Sequence, residues 1–560
     1  MKGSPQDIRT MASMARRDVL GWMTAGAMAP LLSACSSLQY RGSVASGSYV
    51  DLLYVADTLD ARQPGKPVVP ATHLGPATRI GQAPWITGAN ARVHVPDQLQ
   101  INSLLDASLS QHVETGGYPV LGALLQRFRS EAGDGNSLTL ENGQCWNGSG
   151  LAYLTQGKSG VQGSALLGTE VRVSSDERLL WPQQCAGLYR QFGHPVLGAD
   201  LAADAGQRLG TEAVAFFRRG GVRIAVVGIT DPYARDQKLS LKQWHDSLQP
   251  ALERARADAD LVIALADVGT GPGIWLAERL SHIDMVLCAR GQDLWPQPLE
   301  IMQASGKRVP VILGGTRASG AFRIRCQQAA GQWQFTARFQ PALESTLTAA
   351  DQVQAQRIRQ LTQQQRAAHA GWLDEPLARA PENLWRRDVR GGSWDRLLHE
   401  ALAERPDSSV LLPGLRYDSP LAQGQMITRE HLISLTGSYP APVVNVPAKQ
   451  VPRVLENVAE QMFGDMLLLD NSQDLPRWMS QSWEVTYSAG GKRINGVGEP
   501  AGQCRTFGLG FDAQAGQPLW QHLEAWLRER PADWRIAPLQ LPGMRYVQGH
   551  PGWHPRESAA

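Results

Sequence analysis

At 560 residues the chain is long enough for two or three domains, each with its own core. An apolar share of 43% and a charged share of 19% are ordinary for globular protein. A formal net charge of +2 with no basic stripe excludes bulk nucleic-acid binding. Six cysteines without a C-x-x-C pair exclude zinc-finger, thioredoxin and disulfide-scaffold readings.

The first 35 residues read as an address. Ala15-Arg16-Arg17-Asp18-Val19-Leu20 resembles a twin-arginine export signal, and an apolar run over 19–32 follows. That run is too short for a permanent membrane span. It ends in Leu32-Ser33-Ala34-Cys35, which resembles a bacterial lipobox. Cleavage before Cys35 and lipidation of its sulfur would place the protein in the periplasm, anchored to a membrane. Ser36 rather than aspartate after the cysteine favours the outer membrane over the inner. Residues 36–48, rich in serine and glycine, read as a tether.

From 49 to 345 short apolar runs alternate with helical spacing. Strands are expected at 50–57, 221–229, 261–266, 284–289 and 308–313, and a helix at 118–129. Buried strands joined through helices make an α/β domain with parallel pairing, whose ligands bind on loops at the carboxyl ends of the strands. Asp57, Asp176, Glu177, Asp267 and Asp293 lie near such loops, and Asp267-Val268-Gly269 and Arg290-Gly291-Gln292-Asp293 should share one face. A carboxylate at a strand end also serves as a turn residue, and Gly314-Gly315 reads as a tight turn. Cys288, inside an apolar run, reads as packed core.

Residues 346–375 have helical spacing. Asp351 suits the first turn, and Val353, Ile358 and Leu361 are expected to share a face. The second domain, 376–560, contains Gly391-Gly392-Ser393-Trp394-Asp395, Leu412-Pro413-Gly414-Leu415-Arg416-Tyr417 and Gly424-Gln425-Met426-Ile427-Thr428-Arg429-Glu430-His431. Thr428 with Glu430 reads as a helix entry. A helix is expected over 454–463. Arg416, after Pro-Gly, is expected to project from its loop, where a guanidinium suits an oxyanion. The alternative is a structural arginine. The tryptophans of the tail read as core.

These stretches resemble the 5'-nucleotidase (metallophosphatase) family, and within it the SoxB-type thiosulfohydrolases of sulfur oxidation. The similarity is strongest in the three second-domain motifs. It implies an α/β two-domain protein: a metallophosphatase-like four-layer domain with central sheets, an interdomain helix, and a 5'-nucleotidase-type C-terminal domain. It also implies two divalent metal ions (manganese in SoxB) on the strand-end loops, and a substrate sulfonate carried on a cysteine of a sulfur-carrier protein. By the same resemblance Arg416 and Tyr417 stand at the substrate. At the metal loops the family's residues are replaced. Leu59 stands for the histidine of Asp-x-His, Gln144 for a metal-bridging aspartate, Ser175 for a histidine, and Ala266-Asp267-Val268-Gly269 for Ser-His-Asn-Gly. Ala289-Arg290-Gly291-Gln292-Asp293 stands where the family has Gly-Gly-His-Thr-His-Asp. A neutral amide cannot supply the charge of a carboxylate bridging two dications. Two functional expectations follow, beside that of a purely structural lipoprotein of an envelope complex. One is a metal-less binding protein for a sulfur carrier. The other is a hydrolase releasing sulfate or phosphate from a metal site rebuilt on Asp57, Glu177, Asp267 and Asp293.

Overall fold

The computed structural model describes residues 48–65, 75–79, 83–84, 115–234, 236–295, 297–329, 331–386, 391–404, 408–464, 474–539 and 543–546. The export signal, Cys35, most of the tether and Trp553 lie outside them. No helix among the described residues is long and apolar enough to cross a membrane.

Two six-stranded sheets organise the first domain. One contains β1 (Tyr49–Ala56), β2 (Ser137–Asn142), β3 (Val171–Val173) and β4 (Val196–Leu197), with β11 (Gly320–Ala329) and β12 (Gln332–Pro341) in the order β12-β11-β1-β2-β3-β4. The other contains β5 (Val214–Arg219), β6 (Val222–Ile229), β7 (Leu261–Ala266), β8 (Met285–Cys288), β9 (Leu299–Met302) and β10 (Arg308–Leu313) in the order β5-β6-β7-β8-β10-β9. Parallel pairs run through the middle of each sheet, β1–β2–β3–β4 and β6–β7–β8–β10. Antiparallel strands close the edges β5, β9 and β12.

The continuous apolar runs follow from burial on both faces. In β7 every residue is buried: Ile263 and Leu265 join Leu52, Tyr54, Leu140 and Val226 in the core between the sheets. Val262, Ala264 and Ala266 face the opposite way, onto helices Leu241–Asp258 and Thr270–Arg279. This is the period of two that a pleated strand imposes. Helix Tyr118–Ala132 covers the other sheet through Leu121, Leu124 and Leu125. Helix, sheet, sheet and helix are the four expected layers.

The interdomain helix, Ala349–Leu373, opens on a reciprocal cap between Thr348 and Asp351. Asp351 also accepts from Arg127 at 2.7 Å, tying it to helix Tyr118–Ala132. Where these helices cross, a Cβ at Gly122 would sit 2.5 Å from Ile358 Cδ1, so glycine lets that side chain lie against the neighbouring helix without shifting. The buried face is Ala355, Ile358 and Thr362. Val353 is 74% exposed and Leu361 37%, which corrects the face expected from the sequence. Val353 is five positions from Ile358, about 140° around the helix.

The second domain packs helices Ser393–Leu402, Arg429–Ser434 and Leu519–Arg528 around Trp394, Leu398, Tyr417, Ile433 and Leu523. Trp478, Trp483, Trp520 and Trp534 are buried in it. The expected helix near 454 spans Val451–Phe463. Thr428 is the N-cap of helix Arg429–Ser434, but its partner is His431, whose Nδ1 accepts the Thr428 N–H at 3.1 Å. Glu430 instead crosses the domain boundary and accepts the N–H of Gly150, the first residue of helix Gly150–Thr155, at 2.7 Å.

Candidate functional site

The strand ends converge where the two sheets and the second domain meet. β1 ends in Asp57, fully buried and at φ +43°. Its carboxylate takes three main-chain N–H groups: Gln144 at 3.2 Å and Arg290 at 2.9 Å on Oδ1, and Gln292 at 3.0 Å on Oδ2. Arg290 and Gln292 both have left-handed backbones, φ 57° and 54°. Gly143, at φ +71°, completes the wrap, and a Cβ there would fall on Asp57 Oδ1 and Ala289 Cβ. Burial, and then the charge of Asp267, push Asp57 up to about 7 in spite of these amides.

At the centre stands the Arg290 guanidinium. Nη1 lies 2.8 Å from Asp176 Oδ1 and 3.3 Å from Asp267 Oδ2, and Nε lies 2.9 Å from Asp231 Oδ2. These carboxylates come from the ends of β3, β7 and β6. Burial disfavours the guanidinium's charge, but the three acids overcome it and hold Arg290 protonated. Burial alone would raise Asp176; Arg290, at the shorter distance, outweighs it and lowers its pKa. Asp267 is raised to about 6, because burial wins over the longer contact to Arg290. Its Oδ1 receives no hydrogen bond. Gln144 Nε2 donates to Asp176 at 3.0 Å, and Gln292 Nε2 to Gln144 at 3.4 Å. Two amides and a guanidinium therefore fill the middle of the loop cluster.

The second domain seals it. Tyr417, in the second-domain core, donates to Asp176 Oδ2 at 3.4 Å. Arg416 is 1% exposed. Its Nη1 reaches Asp293 at 3.3 Å and the Gly291 carbonyl at 3.2 Å, and its Nε reaches Asp474 at 3.2 Å. Asp293 also accepts from Thr270 at 2.6 Å. Arg416 thus crosses the domain boundary with its charge taken up by two carboxylates. Glu177 points elsewhere: it binds Arg172 at 2.7 Å, and Arg172 lies 3.8 Å over the Trp146 ring and also pairs with Glu141.

Sequence reasoning missed Asp231, Tyr439 and Asp474. Asp231 follows the end of β6, and that position was its signal. Tyr439, in the loop after helix Arg429–Ser434, lowers the Asp176 pKa by a hydrogen bond. Asp474 had no signal. Among the described residues His194, His245 and His282 do not converge: His194 packs on Phe192, His245 lies beside Asp246 on helix Leu241–Asp258, and the His282 carbonyl accepts from Arg256.

The residues present do not fit a pair of divalent ions. Both Asp57 oxygens are turned onto main-chain N–H groups, Gln144 is neutral, and a cation would sit beside Arg290 among the same three acids. Among the described residues no group of three or more histidine, cysteine or acidic side chains is arranged to hold a metal.

Two layered sheets, strand-end loops meeting a second domain, and one long helix between them define the fold of the metallophosphatase-type hydrolases. The chain has the two-domain fold of SoxB and the 5'-nucleotidases. It is similar to the sulfate thiohydrolase SoxB of Thermus thermophilus, solved with glycerol: TM-score 0.75, 24% identity, covering 90% of this chain and 98% of that one. A 5'-nucleotidase precursor from the same species gives 0.65 at 15% identity over 89% and 99%. The 5'-nucleotidase of Candida albicans gives 0.53 at 10% over 88% and 99%. No family model and no curated protein matches the sequence.

Proposed function

We propose that this chain is a non-hydrolytic relative of SoxB that works by binding: an exported, lipid-anchored periplasmic protein of sulfur-compound oxidation that docks a sulfur-carrier protein. One observation carries the loss of hydrolysis. Arg290 puts a tethered monovalent cation among Asp176, Asp231 and Asp267 at 2.8–3.3 Å. A guanidinium has no open coordination position. It can neither lower the pKa of a bound water nor bridge attacking and leaving oxygens as paired metal ions do. The carrier as partner rests on the second-domain motifs and on the resemblance to SoxB. Arg416 is closed off by Asp293 and Asp474, so the reading places recognition on the carrier's body rather than on its sulfonate.

The test uses the mature chain and a carrier protein whose cysteine bears an S-sulfonate. The expected result is saturable binding in titration calorimetry, with no sulfate released after manganese is added. Metal-dependent sulfate release that is lost in Asp267→Asn would favour the hydrolase instead. Absence of binding would remove the carrier from the account.

A further inference from the structure

Ser48 and Tyr49 lead into β1 at the amino ends of the parallel strands. Asp51 pairs with Ser137, the first residue of β2, and Ile224, near the start of β6, pairs with Leu261, the first residue of β7. Two turns frame this entry. The Asp51 N–H donates to the Asn136 carbonyl at 2.8 Å, and the Gly220 N–H to the Gly135 carbonyl at 2.9 Å. Gly220 and Gly221 have φ +55° and +80°, and a Cβ at Gly220 would fall on the Tyr49 carbonyl. Glycine lets the turn between β5 and β6 lie directly against the incoming chain.

The second domain lies at the opposite end. It meets the loops that follow the carboxyl ends of the strands: Ser438 Oγ accepts the Gly148 N–H at 2.8 Å, Tyr417 donates to Asp176, and Arg416 reaches Asp293. The whole of β1, Tyr49–Ala56, separates the two ends. Its eight residues measure about 26 Å, at about 3.3 Å each.

Length decides what this means for an anchored molecule. Cys35 precedes Ser48 by 13 residues. That many residues span at most about 45 Å, whatever their conformation. A globule of about 500 residues has a radius of gyration of about 23 Å, and a sphere of that radius of gyration is about 60 Å across. Turned over, with the second domain against a bilayer, the molecule would hold Ser48 about 60 Å from the surface, beyond the reach of a lipid on Cys35. With the strand entries towards the bilayer no such gap arises.

We propose that the amino ends of the first-domain strands, around the turns at 133–136 and 220–221, face the lipid bilayer, and that the second domain points away from it into the aqueous phase. This orientation rests on the lipid on Cys35 proposed above. A carrier protein in solution then approaches the second domain from the side away from the membrane.

The test uses the mature lipoprotein in phosphatidylcholine vesicles whose headgroups carry an energy-transfer acceptor. A donor dye is placed on Asp134→Cys, in the exposed turn beside the entry, or on Ala513→Cys, in an exposed loop of the second domain. The five described cysteines are buried and the lipid occupies the sulfur of Cys35, so the dye takes the introduced thiol. Transfer from position 134 should be stronger than from position 513 by about twofold or more, since at least about 26 Å of strand separates the two ends. Equal transfer from both positions, or stronger transfer from 513, would overturn the orientation and leave the anchor standing. Mass spectrometry of the same sample reads the anchor by itself. Lipid on Cys35 is expected there, and a mature chain without it overturns the anchor and the orientation together.

Discussion

Replacing Arg290 by methionine keeps the length and apolar stem of the side chain and removes the charge. Three buried carboxylates then lose their common cation, from 2.8, 2.9 and 3.3 Å. Breaking a buried pair from one side costs about 3–5 kcal/mol. The cost has a ceiling, because an orphaned acid can take up a proton. For an aspartate of ordinary pKa 3.8, staying neutral in the fold costs about 1.36 kcal/mol for each pH unit above that value. The ceiling per carboxylate is roughly 5–6 kcal/mol at pH 8 and about 1.6 kcal/mol at pH 5. The melting temperature of Arg290→Met should therefore fall on the order of 10 °C at pH 8, and the deficit should shrink by more than half at pH 5. Circular dichroism melts of both proteins at pH 8, 7, 6 and 5 measure this. An unchanged melt at pH 8, or a deficit as large at pH 5, would refute the ionic cluster.

Other outcomes follow from the same geometry. Arg416→Ala leaves Asp293 and Asp474 without their shared guanidinium across the domain boundary, and should cost about 3–5 kcal/mol, read by denaturant unfolding and by faster limited proteolysis between the domains. An arginine that served only a ligand would leave both unchanged. Gly143→Ala should destabilise by more than about 1 kcal/mol, since its φ is +71° and the new methyl meets Asp57. In the unaltered chain Asp57 and Asp267 are raised to about 7 and about 6 from 3.8. The folded state then binds more protons than the unfolded state between those values. Their contribution is fully present below pH 3.8, is lost as pH rises to about 7, and is level above it. Asp57→Asn should flatten that part of a stability profile measured from pH 4.5 to 8.

The layered first domain was legible because its strands are buried on both faces. LVIALA and MVLC can hardly be anything else between helical patterns, and their loops had to share a face. The meeting of Asp267 with Arg290 follows from that rule. What the sequence could not give was direction. Glu177 and Asp176 are neighbours, yet one turns to Arg172 and Tyr189 and the other to Arg290. Arg416 sits on the expected loop, but its pairing with Asp474 joins residues 58 apart with no periodicity between them. On the interdomain helix the apolar spacing misled, because small residues, Ala355 and Thr362, make the close packing and Val353 faces water.

The central claim is that a guanidinium holds the place a metal pair would need. Crystals of the mature chain grown in manganese chloride, measured at the manganese absorption edge, test it directly. The account predicts no anomalous peak among Asp57, Asp176, Asp231 and Asp267, with Arg290 in continuous density between the acids. Two peaks there, with Arg290 swung aside, would contradict it.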